Sequence, residues 1–334
     1  MSKLYVRSLQ LTGNATYTIS IPKDWVKKLK LGKGSKIYLE LMNDGSLRIY
    51  SNPPRRLSGA SKLFELGIGD DPDNLLRKII AAYLAGFSIV TLNFDPELKE
   101  TAFKIRRSLE SSVLGFNVLK ESRSGFTFYT VIDESSMNLS DALAKLKENA
   151  YHMLEDTHSG MGNADVKILE RVIEEDQIVD KLYLLVAKQV TSILMSPFGV
   201  EEHGLRSAAE TPHVFLAARS MERVSDHAVL MARESIDLIS SGGKVPDWLL
   251  NDFKMVIDLF GSSTKAFSEL DALEAEEAAR KIDGVAKVIR RRETGDSKVQ
   301  MLLSSMERVL GYSMNILEAV IDITMIRDFI ELSS

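Results

Sequence analysis

Four carboxylates fall into two pairs at helical spacing. In the stretch 217–234, AARSMERVSDHAVLMARE, Glu222 and Asp226 stand four residues apart, so both project from one side of a helix. Val214, Ala217, Met221, Val224, Ala228 and Met231 form the apolar stripe of that helix, and Ala218 and Val229 extend the acids' own line with small apolar surface. That line is expected to be at least partly buried. The second pair, Asp176 and Asp180 in EEDQIVDKLYLLVAKQV, lies among Leu169, Ile173, Tyr183, Leu184 and Ala187, on the core side of its helix. If the two helices pack together, four carboxylates converge, and each like-charge pair at about 4 Å costs on the order of 4 kcal/mol at an effective dielectric near 20. Three things relieve such a cluster: a hard or borderline cation held by oxygen ligands, a shared proton, or pairing with Arg and Lys. Arg219 and Arg223, each three residues before an acid of the first pair, supply the last option locally.

The residues SMERVSDHA resemble the LERIADHA-type signature of the phosphate-uptake regulator (PhoU) family, and DQIVD resembles its partner acidic motif. The resemblance covers roughly residues 138–330 and is sharper in its first half. It implies two pseudo-repeated three-helix bundles that bind metal clusters through acidic motifs. Asp176, Asp180, Glu222 and Asp226 are then the implied ligands of a divalent or ferric metal ion.

The elements that must position these acids begin at Asn138, after which the pattern is helical to the end. The first helix carries Leu139, Leu143, Leu146, Ala150 and Leu154 and is expected to loosen over 159–163. The second runs over 165–195 and stops before Pro197. The third opens at Thr211 and Pro212 and closes at Gly242 and Gly243. A second set follows at 247 to about 270, 274 to about 293 and 296 to about 329. It repeats the first, because SMERV occurs at 220–224 and again at 305–309. In the copy, Gly311 stands where Asp226 does, and Lys287 follows Asp283 where a second acid belongs. The second set is therefore expected to lack a full metal site, with Glu307 paired to Arg308 or Lys287.

At 334 residues the chain is long enough for two or three domains. With no cysteine it has no disulfide, thiolate metal site or cysteine nucleophile. No Ser-His-Asp set or phosphate loop can be argued from spacing, and the five histidines share no metal-binding spacing, so no catalytic residue is assigned. No apolar run approaches the roughly 18 residues that span a bilayer, so no membrane insertion is expected and the reading is cytoplasmic. The net charge of −5 is uneven: residues 1–56 hold eleven Lys and Arg against three acids, a net of +8, which leaves −13 for the rest. A basic head on an acidic body points to nucleic-acid contact at one end.

That head reads as strands in LYVRSLQLTGNATYTISIP broken at Gly13 and Asn14, a short helix after Pro22, a turn at Gly32 and Gly34, and a second hairpin turned by Asn43, Asp44 and Gly45. Trp25 and Tyr17 are expected in its core. ATYTISIPKDWVKKLKLGKGSKIYL resembles the SpoVT/AbrB swapped-hairpin DNA-binding domain over about the first 50 residues. The resemblance implies an obligate homodimer of interleaved hairpins with double-stranded DNA along a basic face. Arg7, Gln10, Asn14, Thr16, Lys23 and Lys27 are the implied DNA-binding residues, and Lys33 and Lys36 are read as solvating. After a linker at 52–59, two passages capped by Asp71-Pro72 and Asp95-Pro96 each lead from a helix into strands, giving a small α/β unit.

The expectation is a multidomain α+β chain: an N-terminal swapped-hairpin β domain over 1–52, a small α/β domain over 57–137, and a C-terminal PhoU-like pair of three-helix bundles over 138–243 and 244–334. The expected role is a DNA-binding transcriptional regulator of phosphate uptake. The competing readings are a metal-binding accessory protein that contacts a phosphate transporter or sensor protein, and a metal-dependent hydrolase built on the carboxylates.

Overall fold

A computed structural model describes residues 5–13, 16–41, 46–52, 60–130, 137–195 and 200–333. The chain divides into two compact units, Met1–Arg56 and Leu57–Ser334. Asn14, Asn43, Asp44 and Gly45 lie outside the described residues.

In the first unit β1 (Gln10–Thr12) pairs antiparallel with β2 (Thr16–Thr18), α1 spans Lys23–Lys28, and β3 (Tyr38–Leu41) pairs antiparallel with β4 (Leu47–Tyr50). Pro22 precedes α1 with φ −58°, already suited to a helix start. Two two-stranded ribbons and six helical residues are too little to enclose a core, and none of the unit's described residues is buried. Leu11, Leu41 and Leu47 are exposed. Tyr17, expected in the core, is 70% exposed, and Trp25 is only half-buried, because among the described residues of this unit nothing encloses them.

The second unit starts with a four-stranded sheet. β5 (Ser61–Leu66) and β6 (Ile89–Phe94) are parallel neighbours joined through α2 (Pro72–Leu84). β8 (Gly125–Thr130) and β7 (Phe116–Ser122) add antiparallel, in the order β5-β6-β8-β7. Asp71 caps α2 by accepting the Asp73 N–H at 3.0 Å, and Gly86 ends the turn after it with φ +92°. The Asp95-Pro96 signal opens a 3-10 turn at Pro96–Leu98, which leads into α3 (Lys99–Ser112). β5 is the strand that the sequence reading did not single out. Ile79, Tyr83, Leu92, Leu109, Phe116, Phe126 and Phe128 form the core between the sheet and these two helices.

Six α-helices follow among the described residues: α4 (Leu139–Asn163), α5 (Val166–Met195), α6 (Thr211–Ser240), α7 (Asp247–Glu269), α8 (Ala272–Arg290) and α9 (Ser297–Ser333). α4, α5 and α6 pack on one another, α7, α8 and α9 do likewise, and α6 lies along α9 to join the two sets. One continuous apolar core runs through all six. Asn138 and Asp271 cap α4 and α8 through the N–H groups of Asp141, and of Leu273 and Glu274. α2 and α3 rest on α5, whose Leu184 packs against the sheet's core. α4 does not loosen at 159–163. Gly160 instead lets α5 approach, since a Cβ there would meet the Leu169 side chain at 2.7 Å.

One helix among the described residues, α9 over Ser297–Leu332, is long and apolar enough to cross a bilayer by length and composition alone. Charged residues such as Glu307, Glu318 and Asp322 interrupt it, so it is not the unbroken apolar run whose absence the sequence shows. Its apolar positions, Leu302, Met306, Val309, Ile316 and Val320 among them, are buried in the helical core.

Candidate functional site

α5 and α6 pack side by side and bring Asp180 and Asp226 within electrostatic reach of each other and of both Asp176 and Glu222. Helical periodicity puts Glu222 next to buried Met221 and Ala218, so its carboxylate is only 8% exposed, while Asp226, one turn on, is half-buried. Asp176 is half-buried as well. Asp180 is exposed at the rim, which corrects its expected place on the core side: Val179 takes the buried position in that turn.

Three guanidinium groups share these four acids. Arg219 Nη1 lies 3.3 Å from Glu222 Oε1, Arg223 Nη1 lies 2.7 Å from Asp226 Oδ2, and Arg223 Nε stands 3.7 Å from Glu222 Oε2. Arg233, two turns further along α6, acts on Asp176. Arg219 is also seated over the Tyr183 ring, 5.0 Å from its centroid, and Tyr183 in turn stacks on Phe215.

Burial and mutual repulsion still win over the arginines. Burial first and then the Asp226 charge push Glu222 from 4.5 up to about 7. Burial, then Asp180 and Asp226, push Asp176 from 3.8 up to about 6. Although Asp180 is exposed as a residue, partial desolvation of its carboxylate by the surrounding helices, and then the Asp226 charge, raise its pKa. Glu222 Oε2 is buried and accepts no hydrogen bond. On the side facing α9, burial and Arg308 lower the His227 pKa, and its ring lies 5.8 Å from that of Tyr312.

The donor set suits a hard cation: all oxygen, mutually repulsive, with one orphaned buried oxygen. Among the described residues no three acids or histidines are grouped so as to hold an ion, and the arginine pairs occupy Glu222 and Asp226.

A pH dependence follows. Between about pH 4 and 7 the folded chain keeps protons on Glu222 and Asp176 that the unfolded chain has released, so stability falls as pH rises through that window. In chelator-treated protein we expect a loss on the order of 2 kcal/mol between pH 5 and 8, discounted for the partial exposure of Asp176. Glu222→Gln, which removes the buried charge, is expected to flatten the dependence and to raise the thermal midpoint at pH 8. A midpoint that rises from pH 5 to 8 in wild type but not in the variant contradicts it.

The second helical set lacks this arrangement. Gly311 follows Glu307 in α9, Asp283 and Lys287 are exposed on α8, and Glu307 pairs with Arg290 rather than with the expected Arg308 or Lys287. Arg290 lies one turn beyond Lys287 and comes opposite Glu307 where α8 packs on α9. Arg308 covers Tyr312 instead.

In the first unit, register places Gln10 opposite Thr18 and Thr12 opposite Thr16, so these four share one polar face. The Thr12 and Thr18 hydroxyls are 3.2 Å apart. Leu11 and Tyr17, also paired, form the opposite face. Arg7 is exposed, its Nη1 donating to the Val6 carbonyl at 3.1 Å, and Lys23 and Lys27 are exposed at i and i+4 on α1. Asn14 falls outside the described residues.

The roles of Arg233 and of the Arg308-Tyr312-His227 group were missed by sequence reading. Arg233 lies seven residues from Asp226, on the same helical face, and that spacing was the available signal.

The PhoU domain family model matches residues 143–235, which contain all four acids. The family model described as antidote-toxin recognition MazE, bacterial antitoxin, matches residues 10–57, which leaves Arg7 just outside. Both resemblances read from the sequence are thereby borne out, the first over α4–α6. Among solved structures, the chain is similar to PhoU from Pseudomonas aeruginosa at 18% identity, covering 56% of this chain and 95% of that one with a TM-score of 0.48. It is also similar to the phosphate transport system regulatory protein PhoU from Streptococcus pneumoniae, at 15% identity over 56% of this chain and 93% of that one, with a TM-score of 0.47. No curated protein matches the chain.

Proposed function

We propose that this protein is a cytoplasmic, dimeric, DNA-binding transcriptional regulator of phosphate uptake, with a PhoU-like helical region as its sensory part. The observation that carries the reading is the joining, in one chain, of a MazE/AbrB-type module to a PhoU domain. Two features support the DNA-binding half. Residues 1–56 carry a net +8 on a protein that is acidic elsewhere. Their apolar side chains, Leu11, Tyr17 and Leu41 among them, are left uncovered by the described residues of their own unit. A second copy with interleaved hairpins would bury those residues, and the polar ribbon face with Arg7, Gln10, Thr16, Lys23 and Lys27 would lie along the DNA backbone.

The α4–α6 acids are the proposed sensory centre. Asp176, Asp180, Glu222 and Asp226 would hold a divalent or ferric ion, which would supply the positive charge that three arginines leave short. Elemental analysis of purified wild type, Asp226→Ala and Glu307→Ala is expected to find metal in the first and third and to lose it in the second. Metal absent from reconstituted wild type means that the arginine pairs alone hold the cluster.

The function itself is tested by genome-wide DNA occupancy at high and low phosphate. Occupancy at phosphate-uptake genes that changes with phosphate is the expected result. DNA-free protein recovered with a transporter, a sensor or a toxin protein overturns it in favour of an accessory or antitoxin role.

A further inference from the structure

Away from the acid cluster, a cavity of about 290 Å³ opens between the two helical sets. Its walls come from α4, α6, α7 and α9 and from the segment just before α6. The floor is apolar: Leu139, Leu205, Val214, Met221, Phe267 and Ile323 are all buried and all face it. Empty apolar space of this size is a cost to a folded chain, and its volume lies at the small end of ligand pockets.

The polar groups of the wall are not equivalent. Glu210, 0% exposed, is already saturated: its carboxylate accepts the Arg206 and Ser207 N–H groups at 2.9 and 3.1 Å and two Arg327 donors at 3.1 and 2.8 Å. Its charge and that of Arg327 therefore cancel. Lys147 does not cancel. Its ammonium crosses from α4 to α7 and meets only the Ser268 hydroxyl, at 3.0 Å, with no carboxylate partner among the described residues. His203 also lines the cavity, with its Nδ1 turned into the protein and away from the open space. One unpaired cation thus stands over an apolar floor, with the His203 residue in the wall beside it.

We propose that this cavity binds a small organic anion, a carboxylate with an apolar body of about ten non-hydrogen atoms. Its body lies on the Leu139-Met221-Ile323 floor and its carboxylate meets Lys147. Inorganic phosphate does not suit it, because a hydrated multivalent anion would face six apolar side chains. A bound molecule would touch both helical sets, whatever the protein regulates and whether or not the acids hold metal.

Binding of hexanoate, octanoate and 3-phenylpropionate to the full chain, followed by calorimetry and thermal midpoint, tests this. Octanol and inorganic phosphate serve as the neutral and apolar-free controls. At least one carboxylate is expected to bind saturably at one site per chain and raise the midpoint, at least tenfold more tightly than octanol, with phosphate inert. Lys147→Met is expected to weaken that binding at least tenfold. Ala144→Trp, which fills the mouth from an exposed position on α4, is expected to abolish it. Neither substitution removes a buried contact, and unchanged melting without ligand shows that both variants fold. No saturable carboxylate binding overturns the proposal, as do octanol binding as tight as octanoate and wild-type affinity in the two variants.

Discussion

Deleting residues 1–56 is expected to abolish duplex-DNA binding, a loss of at least a thousandfold, while Leu57–Ser334 still folds around its own continuous core. The deleted piece holds a net +8, and what remains carries −13 and repels phosphate. For the intact protein the contact should be steeply salt-dependent. A dimer that neutralises roughly 4 to 8 phosphates gives a log–log slope of about −0.9 per phosphate, so affinity falls on the order of 10² to 10⁴ between 50 and 200 mM salt. Arg7→Ala should weaken binding more than Lys33→Ala. The isolated 1–56 piece is expected to unfold with a strongly concentration-dependent midpoint, because in the proposed dimer a second copy would bury its exposed apolar face. DNA retained by the truncated protein, a flat salt response, or a concentration-independent midpoint each contradicts this picture.

Replacing Arg327 should have the largest effect on stability. Glu210 is fully buried at the start of α6, and Arg327, 117 residues later near the end of α9, is its only cationic partner among the described residues. Arg327→Met leaves that carboxylate buried and uncompensated, at a cost of about 3–5 kcal/mol. Glu210→Gln keeps an amide oxygen for the Arg206 and Ser207 N–H groups and removes the charge, so the double variant Arg327→Met/Glu210→Gln should be more stable than Arg327→Met alone. Denaturant unfolding of the four proteins checks this cycle. A cost below about 1 kcal/mol for Arg327→Met, or a double variant less stable than that single variant, shows that the pair is not the clamp inferred here.

The chain's own periodicity and end signals determined much of what surrounds the candidate site. Apolar residues every three to four positions marked all six long helices, and Asp71 and Asn138 marked helix starts. The i,i+4 spacing of Glu222 and Asp226 determined that both acids project from one side of α6, and the repeat of SMERV with Gly311 in place of Asp226 determined that the copy is incomplete. These properties rest on neighbours within one or two turns, and a sequence displays those directly. What depends on distant neighbours was decided only by tertiary packing. The approach of α5 to α6 put Asp180 on the rim and left Glu222 Oε2 buried without a donor. Packing of α8 on α9 gave Glu307 to Arg290, and the close seat of Leu169 on Gly160 kept α4 unbroken where the glycine suggested a loosened end. The same holds for Tyr17: alternation marks it as one face of a strand, but whether that face is covered depends on chain that lies beyond its own ribbon. Burial, desolvation and charge pairing are sums over everything nearby in space, and most of what is nearby in space here is remote along the chain.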